Sequence, residues 1–198
     1  MKIDLCPDRK DYYSQLNNEI DPYSACQVTA MVMGLDIGKF GLDPINNIQC
    51  SYKQPEDKLR WYIFNNPEVQ NYYHVNWPNT KIPAPEYAGC MVYAVNKLYG
   101  KSIVYFEEKL NLSKIADDLM ARLPVYASMK YPENRNNAGN LSPIDGHIVL
   151  IVGANDEEIL INDSYKNHLT GEKDGFKNVY LPDEFIQHSK GRGIRYKK

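Results

Sequence analysis

The four cysteines, Cys6, Cys26, Cys50 and Cys90, include no CxxC pair, so neither a thiolate zinc site nor a disulfide framework is indicated and free thiols are expected. No apolar run approaches the length of about eighteen residues that a membrane-spanning helix needs, and no membrane insertion is expected. The opening MKIDLCPDRKDYYSQ lacks the apolar core of a secretory signal, which points to a soluble chain made in the cytoplasm. Charge of one sign is also missing. With 23 basic and 25 acidic residues the formal net charge is -2, and no basic field invites nucleic acid. No repeat, low-complexity tract or linker divides the 198 residues, a length that suits one domain over 1–198. Phenylalanine is scarce, five against sixteen tyrosines. That balance gives many half-exposed aromatic surfaces, which either line a groove for peptides or sugars or rim the core.

What is present begins with a cysteine in an apolar setting. In SACQVTAMVMG the residues after Cys26 read as a buried helix, so Cys26 falls on its first turn. Unpaired N–H groups there favour a thiolate and supply donors for an oxyanion. A cysteine in such a place is also commonly a plain core residue. Upstream, an extended segment ends in YYSQLNNEIDPYS, where Asn17, Asn18, Asp21 and Pro22 are turn formers. Residues 36–53 read as loop. PEDKLRWYIF reads as a helix with Pro55 and two acids in its first turn. NYYHVNWPNTKIPAPEYAG reads as a long loop, and 85–98 as a helix. SKIADDLMARL reads as a helix capped by Ser113, with Ile115, Leu119, Met120 and Leu123 on its apolar face. Beyond Pro124 the period becomes strand-like in PVYASMK, HIVLIVGA and EEILIND; NVYLPDEFIQ and the basic GRGIRYKK follow. Helices then strands give an α+β class, a helix packed on an antiparallel sheet.

A hairpin between HIVLIVGA and EEILIND returns the chain to its starting edge. It brings His147, at the start of one strand, within side-chain reach of Asp163, at the end of the other. Cysteine, histidine and carboxylate are the parts of nucleophilic catalysis: the imidazole takes the thiol proton and later protonates the leaving amine, and the carboxylate orients the ring. Gln15 adds a side-chain amide that can join the Cys26 backbone N–H as an oxyanion donor.

The order YYSQ…ACQVTAMVM…GHIVLIVGANDEEILINDSY resembles the papain-like cysteine peptidases related to the bacteriocin-processing (double-glycine) peptidases, in particular stand-alone relatives without a transporter. The resemblance implies a papain-like fold with Gln15 as oxyanion residue, Cys26 as nucleophile, His147 as base and Asp163 as orienting group. It covers about half the chain, and 36–105 is expected to be a family-variable region. Two departures stand out: Cys26-Gln27-Val28-Thr29 in place of a Cys-Gly-Pro-Thr form, and Ser164 where a proline commonly follows the aspartate. Neither removes a catalytic group.

The remaining candidates read as structural. His74, His168 and His188 have no ligand partners at metal spacing, Cys90 is a core residue, and Asp156, Glu157 and Glu158 form a solvated turn. GKFG and GRGIR lack the strand-to-helix context of a phosphate loop. No metal or other cofactor is expected. The resulting expectation is a monomeric cysteine peptidase or amidase acting on a peptide, foremost a stem peptide of peptidoglycan as in endolysins, released through a holin or secretion machine. A polypeptide-processing protease or injected effector is the competing enzyme. A non-catalytic module holding a peptide or glycan in a papain-like cleft is the competing class, disfavoured by the intact set of four residues.

Overall fold

A computed structural model describes residues 2–135, 141–166 and 174–197, with side chains undescribed over 131–145. His168 lies outside the described residues. The element that organises the rest is the helix α1, Cys26–Ile37. Of its residues only Cys26 and Asp36 escape full burial. A helix apolar around its whole circumference must be enclosed on all sides, and α1 is. On one flank lie α2 (Asp43–Asn46), α3 (Pro55–Asn65), α4 (Pro67–Asn76) and α5 (Ala88–Tyr99). On the other is the sheet.

The sheet is antiparallel at every described pairing, in the order β2-β7-β3-β4-β5-β6 with β1 pairing β4. Its strands are β1 (Ile3–Asp4), β2 (Val104–Glu107), β3 (Val125–Arg135), β4 (Leu141–Ala154), β5 (Ile159–Asn162), β6 (Asn178–Tyr180) and β7 (Ser189–Tyr196). The strand period of two divides the apolar residues between two cores. From β4, Ile148, Leu150 and Val152 join α1 in one core. Val149 and Ile151 join the other, which is closed by Ile115 and Leu119 of α6 (Leu112–Met120) and Phe185 of α7 (Pro182–His188). Among the described residues no helix is long and apolar enough to cross a membrane.

Several local expectations change. The stretch expected as a long loop opens inside α4, which reaches Asn76; Asn66 caps this helix by accepting from the Glu68 and Val69 amides and Pro67 occupies its first turn. The 36–53 stretch likewise contains α2, and Asp43-Pro44 opens it. Helix α6 is capped by Asn111, whose Oδ1 accepts from Lys114 N at 3.0 Å, rather than by Ser113, and Met120 ends it 55% exposed rather than on the buried face. Upstream of α1 the chain is less extended than expected. It runs through 3-10 turns at Arg9–Asp11, Gln15–Asn17 and Pro22–Ser24, the turn formers having prevailed. The tail completes the sheet: β7 lies between β2 and β3.

Candidate active site

Cys26 is the first residue of α1, and the residue before it, Ala25, offers no side chain to cap the helix. The leading amides of the helix therefore keep their donor capacity at the thiol. The thiol is half-buried and free, as are Cys6, Cys50 and Cys90.

His147 does not open its strand as expected but follows a bulge within it. Met129 pairs with His147 and Lys130 with Asp145, so Gly146 is the extra residue, at φ 111, where glycine carries no penalty. Across the hairpin Leu150 pairs with Asn162, and Asp163 comes directly after β5. The two side chains meet: His147 Nε2 is 2.8 Å from Asp163 Oδ1, with the ring and the carboxylate both buried. The Cys26 thiol, at the head of α1, is near enough to the same ring to act on its proton affinity. Burial works against a charged imidazole here, but the charge and hydrogen bond of Asp163, reinforced by Cys26, outweigh it and raise the His147 pKa well above its ordinary value.

Asp163 is held in turn. Its Oδ1 also accepts from the amides of Tyr165 (2.9 Å) and Lys166 (3.3 Å), and its carbonyl accepts from the Tyr12 hydroxyl at 2.7 Å. These bonds fix the carboxylate before it meets the ring. Ser164, the next residue, supplies something a proline cannot. Its hydroxyl donates to Gln15 Oε1 at 2.8 Å while its carbonyl accepts from Gln15 N at 2.8 Å. With Oε1 committed, the Gln15 amide nitrogen is turned the other way, where it donates one hydrogen to the Pro22 carbonyl at 2.8 Å and retains a second. Gln15 is 2% exposed, so this orientation is buried and defined. In the sequence Ser164 showed only as a departure from a proline, without a role, and Tyr12 gave no signal, since a lone tyrosine carries no pattern.

The structure thus joins His147 to Asp163, sets Cys26 near the same ring, and anchors Gln15 between Ser164 and Pro22. The other cysteines stand apart from it. Cys90 is fully buried and its thiol is pushed up to about 12 by burial, an inert core position. His74 is exposed on α4 beside the Tyr73 ring, and His188 Nδ1 lies 3.2 Å from the Lys130 carbonyl. Among the described residues no cluster of three His, Cys, Asp or Glu is placed to hold a metal.

Comparison with known proteins gives the family and the fold. The model of the Peptidase_C39 like family matches residues 9–187, a span that runs through the whole 36–105 stretch. Among solved structures, a putative C39-like peptidase from Bacillus anthracis is similar in fold, with a TM-score of 0.60 at 16% identity over 100% of this chain and 98% of that one. Xylellain, a cysteine protease from Xylella fastidiosa, aligns with a TM-score of 0.48 at 17% identity over 100% of this chain and 85% of its own. No curated protein matches the chain.

Proposed function

The chain belongs to the Peptidase_C39 like family and is a cysteine-type peptidase, and from that premise we propose that Cys26 is its nucleophile, His147 its acid–base group, Asp163 the orienting carboxylate and Gln15 an oxyanion donor. The observation that carries this reading is the buried His147–Asp163 pair, 2.8 Å apart, with the Cys26 thiol at the head of α1 near enough to act on the proton affinity of the ring. In the proposed cycle His147 takes the thiol proton and the thiolate sulfur attacks the amide carbonyl carbon. The oxyanion that forms is met by the Cys26 backbone N–H and the second hydrogen of Gln15 Nε2. Collapse breaks the C–N bond, and the imidazolium gives its proton to the departing amine, leaving a thioester. His147 then deprotonates a water that attacks the thioester carbonyl, the C–S bond breaks, and the acid product leaves with Cys26 restored.

The finer placement, beside the bacteriocin-processing peptidases, is part of this proposal, as is the substrate. A stem peptide of peptidoglycan is favoured by the resemblance, and a polypeptide is the competing substrate. A non-catalytic module is disfavoured because a binding cleft gains nothing from a thiol at a helix head set near a buried His–Asp pair.

Digestion of purified peptidoglycan and of a peptide library, with mass spectrometry of the products, tests both levels. Wild-type protein should cleave amide bonds in peptidoglycan, and Cys26→Ala should lose turnover while retaining its melting temperature. Turnover retained by purified Cys26→Ala would overturn the nucleophile; cleavage of the library alone would replace peptidoglycan by a polypeptide.

A further inference from the structure

We propose that Asp57 and Arg60 of α3 are positioning residues, a clamp on the segment 19–24 that sets Cys26 against His147; this rests on the reading of Cys26 above. The need for such a clamp follows from the segment itself. It leads straight into the first turn of α1, which no side chain caps. Asp21 within it sits at φ 47, a left-handed conformation that a non-glycine residue holds only under constraint. The Pro22 carbonyl is the anchor of the Gln15 amide. The thiol and the oxyanion donor both depend on how these few residues are held.

What holds them is one face of α3, where residues three apart are neighbours. Asp57 is fully buried, and its two oxygens accept from the Glu19 amide at 2.8 Å and the Ile20 amide at 3.0 Å. Arg60, 3% exposed, donates from Nη1 to the Ser24 carbonyl at 3.1 Å. Its Nη2 faces Asp21 Oδ2 at 3.1 Å, Ser24 Oγ at 3.0 Å and Glu86 Oε1 at 3.4 Å. Glu86 extends the grip to the far side of the nucleophile, because its carbonyl accepts from the Gln27 side-chain amide. The guanidinium therefore ties the residues before Cys26 to the turn that holds the residue after it. A planar fork that reaches a carbonyl, a hydroxyl and two carboxylates together is a task for arginine, and lysine replaces it only in part.

The test uses iodoacetamide as the probe and needs no substrate. Labelling of Cys26 and of Cys50, followed by mass spectrometry across about pH 5 to 9, reads the pairing of Cys26 with His147: a paired thiol labels preferentially on the acid side, and an unpaired one follows the ordinary thiol. In the parent chain the Cys26 to Cys50 ratio should rise toward acid pH. In Arg60→Ala that ratio should fall on the order of tenfold or more and lose its pH dependence, with Arg60→Lys between the two. Asp21→Gly, which removes the carboxylate and frees the left-handed backbone, should shift the ratio in the same direction by a few-fold. Assays run below the melting midpoint of each variant; a role in stability alone moves the midpoint and not the pH profile. Should Arg60→Ala fail to fold, Arg60→Lys and Asp21→Gly decide. Parent-like ratios in the folded variants would overturn the clamp alone. A parent Cys26 that labels like Cys50 would sink the clamp and the nucleophile together.

Discussion

One oxygen of Asp163 serves His147 Nε2 and two backbone amides at once, so this carboxylate is placed before the ring meets it. Its negative charge keeps the imidazolium above the ordinary histidine value of 6.5. The sign of the pH dependence follows. The raised folded pKa means that the stability contributed by the protonated ring is fully present below 6.5 and is lost as pH rises through the folded value. The alkaline limb of kcat/KM should accordingly lie above the usual histidine range in the parent. Asp163→Ala removes the anion and should move that limb to lower pH, with a rate loss on the order of 10²- to 10⁴-fold. Asp163→Asn, which keeps a hydrogen bond to the ring, should lose less. A pH profile of kcat/KM for the three proteins checks both; an unmoved limb with activity that tracks melting temperature would leave Asp163 a structural residue. At this scale the sequence was readable where residue type and element edge coincide, at Cys26 and Asp163, and at His147 through the hairpin that returns the chain to it, although His147 lies inside its strand. It was silent on the roles of Ser164, Tyr12 and Arg60. Their contribution lies in a partner 149, 151 or 36 positions away, as with Gln15, the Asp163 carbonyl and the Ser24 carbonyl.

At the scale of the element, α3 shows how one helix end serves two purposes. Asp57 spends both oxygens on backbone amides, whereas the adjacent Glu56 is 3% exposed, and its Oε2 has no partner among the described residues. Burial pushes the Glu56 carboxyl up to about 7 from 4.5, opposed by its own backbone amide and assisted by the charge of Asp57. Because the folded value is the higher one, its contribution to stability is complete below 4.5 and disappears as pH rises through about 7. Glu56→Gln should abolish that slope. Denaturant unfolding from about pH 4 to 8 should show the variant gaining on the parent with rising pH, by up to about 3 kcal/mol at about 1.4 kcal/mol per pKa unit. A parallel pair of curves would place the titration elsewhere. Elements with strong periodicity, α1, α3 and β3 to β5, were legible in the sequence. Helix α4 was not: the prolines around YYHVNW argued for a loop, while the decisive group was the Asn66 cap. Strands β2 and β7 escaped notice because they are short or glycine-bearing, and each is specified by its partner; Val104 pairs with Tyr196 and Phe106 with Ile194.

Taken whole, the molecule depends on how closely α1 lies on the sheet, since that approach sets the distance from Cys26 at one end of the helix to His147 on β4. Gly34 is a point of close approach. A Cβ there would collide with the hydroxyl of Tyr196, a fully buried ring on the last strand, and would press on Leu150 of β4 at 3.0 Å. The Tyr196 hydroxyl lies 3.4 Å from the Met31 carbonyl, one turn earlier on the helix, so the ring cannot swing aside without giving up that contact. Alanine at position 34 would gain up to about 1 kcal/mol of helix propensity. Overpacking in a close-packed interior costs about 1–3 kcal/mol, so Gly34→Ala should be destabilising on balance. The cause can be isolated with a second substitution. Tyr196→Phe deletes the nearer of the two colliding atoms, leaving the ring carbon Cζ at 2.6 Å from the added Cβ, and should be mildly destabilising alone through the lost hydroxyl contact, yet in the double variant it should return part of what Gly34→Ala lost. A double-mutant cycle by denaturant unfolding measures this coupling, expected at about 0.5–2 kcal/mol in the rescuing direction. Additive effects would mean that the helix shifts to make room, and the labelling of Cys26 in Gly34→Ala would then register the shift at the far end of α1.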